Sequence, residues 1–161
     1  VLTLQRGFDL PAAKRVKGSV PVFGSTGIVG FHNEAKVKYP TVLTGRSGSL
    51  GKVIMTESES WPLNTTLWMK ELKISSIYFA FFLLQNLPLK SFNGGAAVPT
   101  LDRNVLHELD VVIPSPSTLS KFDKEVEVLF RQIRNFEKQN DALTKARDLL
   151  LPRLMDGRVA V

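Results

Sequence analysis

The stretch STLSKFDKEVEVLFRQIRNFEKQNDALTKARDLLL, residues 117–151, decides the architecture of this chain. Within it Phe122, Val126, Leu129, Ile133, Phe136, Asn140, Leu143 and Leu150 recur at alternating spacings of four and three, and Arg147 takes the remaining seam position. A heptad seam of this kind buries one helix against another in a coiled coil. The spacing predicts a single helix of thirty-odd residues, about 50 Å long. The residues before it, at ordinary compactness, predict a body about 35 Å across. The helix is therefore expected to project, and its apolar seam to need a partner. Asn140 in that seam is either a polar residue tolerated near solvent or a buried one that fixes register at a cost in stability. Arg147, one heptad later, suggests that the seam loosens toward Pro152.

Upstream, the chain is punctuated by Gly, Pro and Ser. Val20–Phe23, Lys36–Leu43, Lys52–Thr56 and Leu67–Met69 are short and rich in β-branched and aromatic residues, so they read as strands between turns. Residues 24–27 and 45–51 carry the densest loop signals. Ser75–Gln85 reads as a buried helix capped by Ser75 or Ser76 and ended by Asn86 and Pro88. A short helical turn over Val105–Leu109 and a strand over Val111–Ile113 are expected next. Pro114-Ser115-Pro116 then breaks the chain. The expectation is an α+β fold: a mixed, β-rich domain over residues 1–116, then a long helix and short tail over 117–161. Ser120 with Asp123 resembles a capping pair for that helix, Pro152 is expected to stop it, and Arg158–Val161 reads as a strand or an extended tail.

The charge is unevenly placed. The 161 residues carry a net charge of +6, and residues 1–55 account for all of it. Arg6, Lys14, Arg15, Lys17, Lys36, Lys38, Arg46 and Lys52 stand there against only Asp9 and Glu34. A basic half beside a balanced half points to a polyanionic partner, and the plainer alternative is a solvated basic surface. Hydrophobic residues make up 43% of the chain, with ten Phe, enough for a core. Cysteine is absent, which excludes disulfides, thiol catalysis and Cys-based zinc sites, and favours a reducing compartment. The apolar run Ile77–Leu84 is too short to span a membrane, and no signal peptide is visible, so a soluble, cytoplasmic protein is expected. A start without Met suggests a fragment of a longer chain.

Motifs for catalysis do not assemble. Gly45-Arg46-Ser47-Gly48-Ser49-Leu50-Gly51-Lys52 has one residue too many for a Walker loop, and Val53 stands where Ser or Thr is required. The same glycines, spaced three apart, also miss the dinucleotide fingerprint. The loop suits either a close approach to a nucleic-acid backbone or an ordinary strand connection. His32 reads as part of a polar turn and His107 as packing a short helix; neither has a metal-ligand spacing. Glu57 and Glu59 alternate on what reads as an exposed turn, and there is no G-x-S-x-G elbow.

In order along the chain, Gln5–Pro11, Val20–Gly30, Thr44–Val53, Trp61–Thr66, Val98–Leu101, Leu109–Pro116 and Leu149–Val159 resemble the DNA-specificity subunits of type I restriction–modification enzymes. That family's plan is two target-recognition domains, each followed by a long helix, with the helices paired antiparallel as a spacer. The resemblance implies binding to half of a bipartite DNA site, with methyltransferase subunits and a restriction subunit as partners. It implies neither catalysis nor a cofactor in this chain. Phe23-Gly24-Ser25-Thr26-Gly27 has the flavour of a methyl-donor loop, but its glycines are misplaced for one. One domain and one helix make this a half subunit, either a natural one that dimerises or a fragment.

The expected DNA face is Lys14, Arg15, Lys17, Arg46, Ser47, Ser49 and Lys52, with the cations on phosphates and polar loop residues near base edges. The helix seam is expected to pair with a second specificity half. A coiled-coil scaffold without a DNA role, and a nuclease or methyltransferase fragment, are the alternatives from other classes.

Overall fold

A computed structural model describes residues 1–74, 76–92 and 99–157. The strands are β1 (Leu2–Arg6), β2 (Val20–Gly24), β3 (Gly27–His32), β4 (Thr41–Gly45), β5 (Val53–Thr56), β6 (Trp61–Pro62) and β7 (Thr66–Leu72). The helices are α1 (Ile77–Asn86), α2 (Arg103–His107) and α3 (Pro116–Met155). The chain thus joins a sheet-rich mixed domain to one long C-terminal helix, the α+β class expected. Two compact units result, Val1–Leu119 and Ser120–Val161.

In the first unit, β1-β7-β4-β5 form an antiparallel sheet, and β3-β2-β6 form a smaller one in which β2 and β6 run parallel. Side chains alternate across the larger sheet, as the period of two demands. Val42, Leu67 and Met69 turn to one face, where they pack with Leu4, with Ala80 and Leu84 of α1, and with Leu89, Leu101 and Leu106. Leu43 and Trp68 turn to the other face and meet Phe23 and Val37. Every residue of β4 is buried, because this strand has neighbours at both edges and on both faces. Each fully buried leucine here contributes about 1.5–3 kcal/mol.

Several local expectations shift by a turn, each for a visible reason. Pro40 has no N–H to give, so the strand expected from Lys36 begins at Thr41, and Val37 makes only an isolated bridge to Ser60. Helix α1 starts after Ser76, whose hydroxyl accepts from the Phe79 amide at 2.9 Å. Ser75, the other candidate cap, and the tail 158–161 lie outside the described residues. No strand forms over Val111–Ile113, where Val112 is 90% exposed.

Helix α3 starts a turn earlier than the Ser120–Asp123 pair suggested. The Ser115 hydroxyl accepts from the Thr118 amide at 3.3 Å, and Pro116 occupies the first helical position, where its fixed φ fits. Pro152 does not stop the helix either. It continues to Met155 and closes at Gly157, whose φ of 68° lies in the left-handed region and whose N–H donates to the Leu154 carbonyl at 3.2 Å. Of the seam, Val126 is buried and Phe122 half-buried, whereas Leu129, Ile133, Phe136, Leu143 and Leu150 are all exposed, as is Asn140.

Candidate nucleic-acid interface

The sheet topology gathers the functional loops. Strands β1 and β4 are each antiparallel to β7, so they run the same way and end at the same edge of the sheet. Arg6 closes β1 and Arg46 directly follows β4. The turn before β7, residues 63–65, lies at this edge too, because β7 runs away from it.

The loop between β4 and β5 is held by backbone bonds on two sides. The Arg46 and Ser47 amides donate to the Thr65 carbonyl at 2.8 and 3.2 Å. The Gly48 amide donates to the Pro99 carbonyl at 3.1 Å, and the Leu101 amide to the Arg46 carbonyl at 2.8 Å. Glycine is required at two kinds of place. Gly48 and Gly51 have φ of 85° and 88°, and a side chain on Gly45 would run into the Ser49 carbonyl. The loop is therefore built in one shape, with Ser49 exposed and Arg46 and Ser47 half-exposed on it.

Lys52 reaches across to the hairpin formed by β2 and β3, where its Nζ donates to the Thr26 carbonyl at 2.5 Å. Ser25 of that hairpin turn also lies against Gly45 and Gly48. The four predicted residues Arg46, Ser47, Ser49 and Lys52 thus stand in one loop cluster with the hairpin tip. Lys90, absent from the sequence-based set, extends its stem over Gly51.

Lys14, Arg15 and Lys17 belong to a different place. The segment 11–18 lies along β3, with the Val16 amide donating to His32 Nδ1 at 3.0 Å. Arg15 Nη1 donates to the Val29 carbonyl at 2.8 Å, and Gly30 leaves the room its guanidinium occupies. Arg15 thereby clamps its own segment to the strand, while Lys14 and Lys17 remain exposed. From Thr26 to Val29 is about 10 Å of strand, so the two basic groups lie along one hairpin without merging.

His32 is not in a polar turn. It is buried at the end of β3 and packs edge-on against Trp61, with ring centroids 5.1 Å apart. His107 Nε2 accepts the Leu4 amide at 2.9 Å, which ties α2 to β1. Burial chiefly, then the charges of Arg103 and Lys73, hold its pKa below the ordinary value. Lys36 stands over the Trp61 ring at 4.9 Å.

Two further arginines are drawn in that sequence reading did not place at the site. Arg6 and Arg103 join Arg46 around an open cleft of about 480 Å³, also lined by Leu67, Thr100, Leu101 and Asp102. The only forewarning in the sequence was the position of Arg6 at the end of an alternating Leu-Thr-Leu-Gln run and of Arg103 after the capping residue Asp102. Among the described residues, no three His, Cys, Asp or Glu side chains come together as a metal site. No described helix is long and apolar enough to cross a membrane.

Residues 1–145 match the family model described as the type I restriction modification DNA specificity domain. The chain belongs to this family. Two curated specificity subunits are similar in part. That of the type I restriction enzyme HindI, from Haemophilus influenzae, is 33% identical over 67 residues, covering 42% of this chain and 15% of the relative. That of MjaIX, from Methanocaldococcus jannaschii, is 35% identical over 86 residues, covering 52% of this chain and 20% of the relative. The fold is shared with the crystal structure of a type I restriction–modification S subunit from M. genitalium. That likeness has a TM-score of 0.80 at 16% identity, over 95% of this chain and 43% of the other. The chain thus covers less than half the length of each of these relatives.

Proposed function

We propose that the chain is a DNA target-recognition module of a type I restriction–modification system, reading one half of a bipartite site. The match of residues 1–145 to the specificity-domain family carries this reading. The loop cluster supports it: a preformed, glycine-dependent loop presents Arg46, Ser47 and Ser49 beside Lys52. In this mechanism the exposed cations Lys14, Lys17 and Lys52 contact phosphates, and the serine hydroxyls reach base edges in the major groove. Arg15 supports the surface by fixing the segment that bears Lys14 and Lys17. The domain covers residues 1–116, the helix and tail 117–161, and the chain itself is non-catalytic and cytoplasmic.

The helix is a spacer that pairs with a second specificity half through Leu129, Ile133, Phe136, Leu143 and Leu150. Their exposure in the single chain supports this, because an apolar strip of that length is a solubility hazard unless covered. A second copy of this chain is the proposed partner, and methyltransferase and restriction subunits join the pair. Asn140 within the strip then fixes register.

Salt-dependent binding of the purified chain to duplex DNA tests the module, and molar mass in solution tests the pairing. Absence of duplex binding at low salt would leave only the scaffold reading. A strict monomer at high concentration would remove the second copy, and the affinity for half-sites would then have to come from one domain alone.

A further inference from the structure

We propose that the cleft formed by Arg6, Arg46 and Arg103 is a clamp for a single backbone phosphate of duplex DNA. The proposal rests on the DNA-recognition reading above. The three arginines come from three separate elements. Arg6 ends β1 opposite Leu67, Arg46 follows β4, and Arg103 opens α2. The Leu101 amide, bonded to the Arg46 carbonyl at 2.8 Å, brings the segment leading to Arg103 onto the sheet edge. Leu67 and Leu101 form the floor, each only 1% exposed, so the walls stand on the core and not on loose chain.

Charge and shape select the occupant. Asp102 is the one carboxylate lining the cleft, and its Oδ1 already accepts the Asn104 amide at 2.9 Å. Among the described residues none of the three guanidinium groups is ion-paired. Three such groups facing one carboxylate leave an excess of positive charge, and their forked donors match the oxygens of a phosphodiester. A concave site cannot enter a DNA groove, whereas it can receive a ridge, and the ridge of a duplex is its sugar–phosphate backbone. The neighbouring loop 45–51 and the hairpin turn at 25–26 carry the exposed Ser49 and Thr26 and suit the groove. Anchoring and reading are in this way divided between a hollow and two tips.

The test measures binding of the full chain to an A·T-rich and a G·C-rich duplex across a salt series. The variants are Arg103→Gln and the triple Arg6→Gln, Arg46→Gln, Arg103→Gln. Arg103 is exposed, so its single variant reports even where the triple one folds poorly. Arg103→Gln leaves two arginines on the phosphate and weakens binding alike on both duplexes. In the triple variant the phosphate goes uncontacted, and the slope of log K against log salt falls by about 0.9. The affinity ratio between about 50 and 200 mM salt then shrinks roughly 3.5-fold, equally on both duplexes. Unchanged affinity in Arg103→Gln, an unchanged slope in a folded triple variant, or a loss confined to one duplex overturns the clamp while the recognition reading stands. If the unaltered chain shows no salt-dependent binding to either duplex, the recognition reading fails and the clamp falls with it.

Discussion

Replacing Gly45 by Ala adds one methyl group at the point where the chain has least room for it. Gly45 is not in a left-handed conformation, so the backbone itself accepts alanine; the obstacle is the Ser49 carbonyl across the loop. The new Cβ would lie 1.9 Å from that oxygen, and Ser49 must retreat by about 1.5 Å to reach ordinary van der Waals separation. Ser49 follows Gly48, whose amide is bonded to the Pro99 carbonyl, and is joined through Leu50 to Gly51, which Lys52 follows. The shift is therefore passed on to the Gly45 amide bond with the Lys52 carbonyl and to the Lys52 contact with Thr26. Overpacking of this kind costs about 1–3 kcal/mol. At about 4 °C per kcal/mol for a domain near this size, Tm falls by roughly 4–12 °C. Duplex affinity falls with it, because Arg46 and Lys52 stand at the two ends of the displaced loop. Gly48→Ala is the control: its φ of 85° costs about 1–2 kcal/mol, but only Ser25 Oγ, at 3.9 Å, lies near the new methyl. Thermal unfolding and duplex titration of both variants decide the matter. Wild-type Tm and affinity in Gly45→Ala would mean that the loop yields freely, and the argument for a preformed reading surface would be wrong.

Leu67→Ala removes a core leucine that also floors the arginine cleft, and costs about 2–5 kcal/mol in chemical denaturation. Ser115→Ala deletes the acceptor for the Thr118 amide and costs about 1 kcal/mol, read as faster amide exchange in the first turn of α3. His107 must keep Nε2 unprotonated to accept the Leu4 amide, and its folded pKa lies below the ordinary 6.5. The unfolded chain therefore takes up the proton first as pH falls, so this contribution to stability is intact above pH 6.5 and lost on acidification below it. Tm followed from pH 8 to pH 5 shows that decline, and His107→Gln flattens it.

Local structure was legible wherever neighbouring residues decide it. The runs Val20–Phe23 and Val53–Thr56, the helix after Ser76 and the heptads of α3 are all written in their own periodicity and caps. What the sequence conceals is adjacency. The order β1-β7-β4-β5 is set by pairings such as Arg6 with Leu67, distant in sequence, and only that order puts Arg6, Arg46 and Arg103 around one cleft. For the same reason composition grouped Lys14, Arg15 and Lys17 with Arg46, although they lie along β3 and Arg15 is engaged with Val29. Pro152 misled in the opposite direction: a local rule for stopping helices gave way to a helix that ends at the glycine five residues on.

The way the 45–51 loop is held has a consequence for how such a domain changes its target. Its shape depends on main-chain bonds from residues 46, 47, 48 and 101, and on glycines at 45, 48 and 51. Side chains at 46, 47 and 49 contribute little to that shape; the Arg46 Nη1 contact with the Asn64 carbonyl is long, at 3.5 Å. Stability and reading are thus carried by different atoms of the same seven residues. Substituting Ser47 or Ser49 alters the hydrogen-bond donors and acceptors offered to base edges without moving the platform, whereas substituting its glycines moves the platform for every sequence alike. The arginine cleft shares Arg46 with the loop, but its floor is Leu67 and Leu101 in the core, so substitutions at 47 and 49 leave it in place. A domain organised in this way can exchange the bases it prefers while the grip on the backbone stays constant.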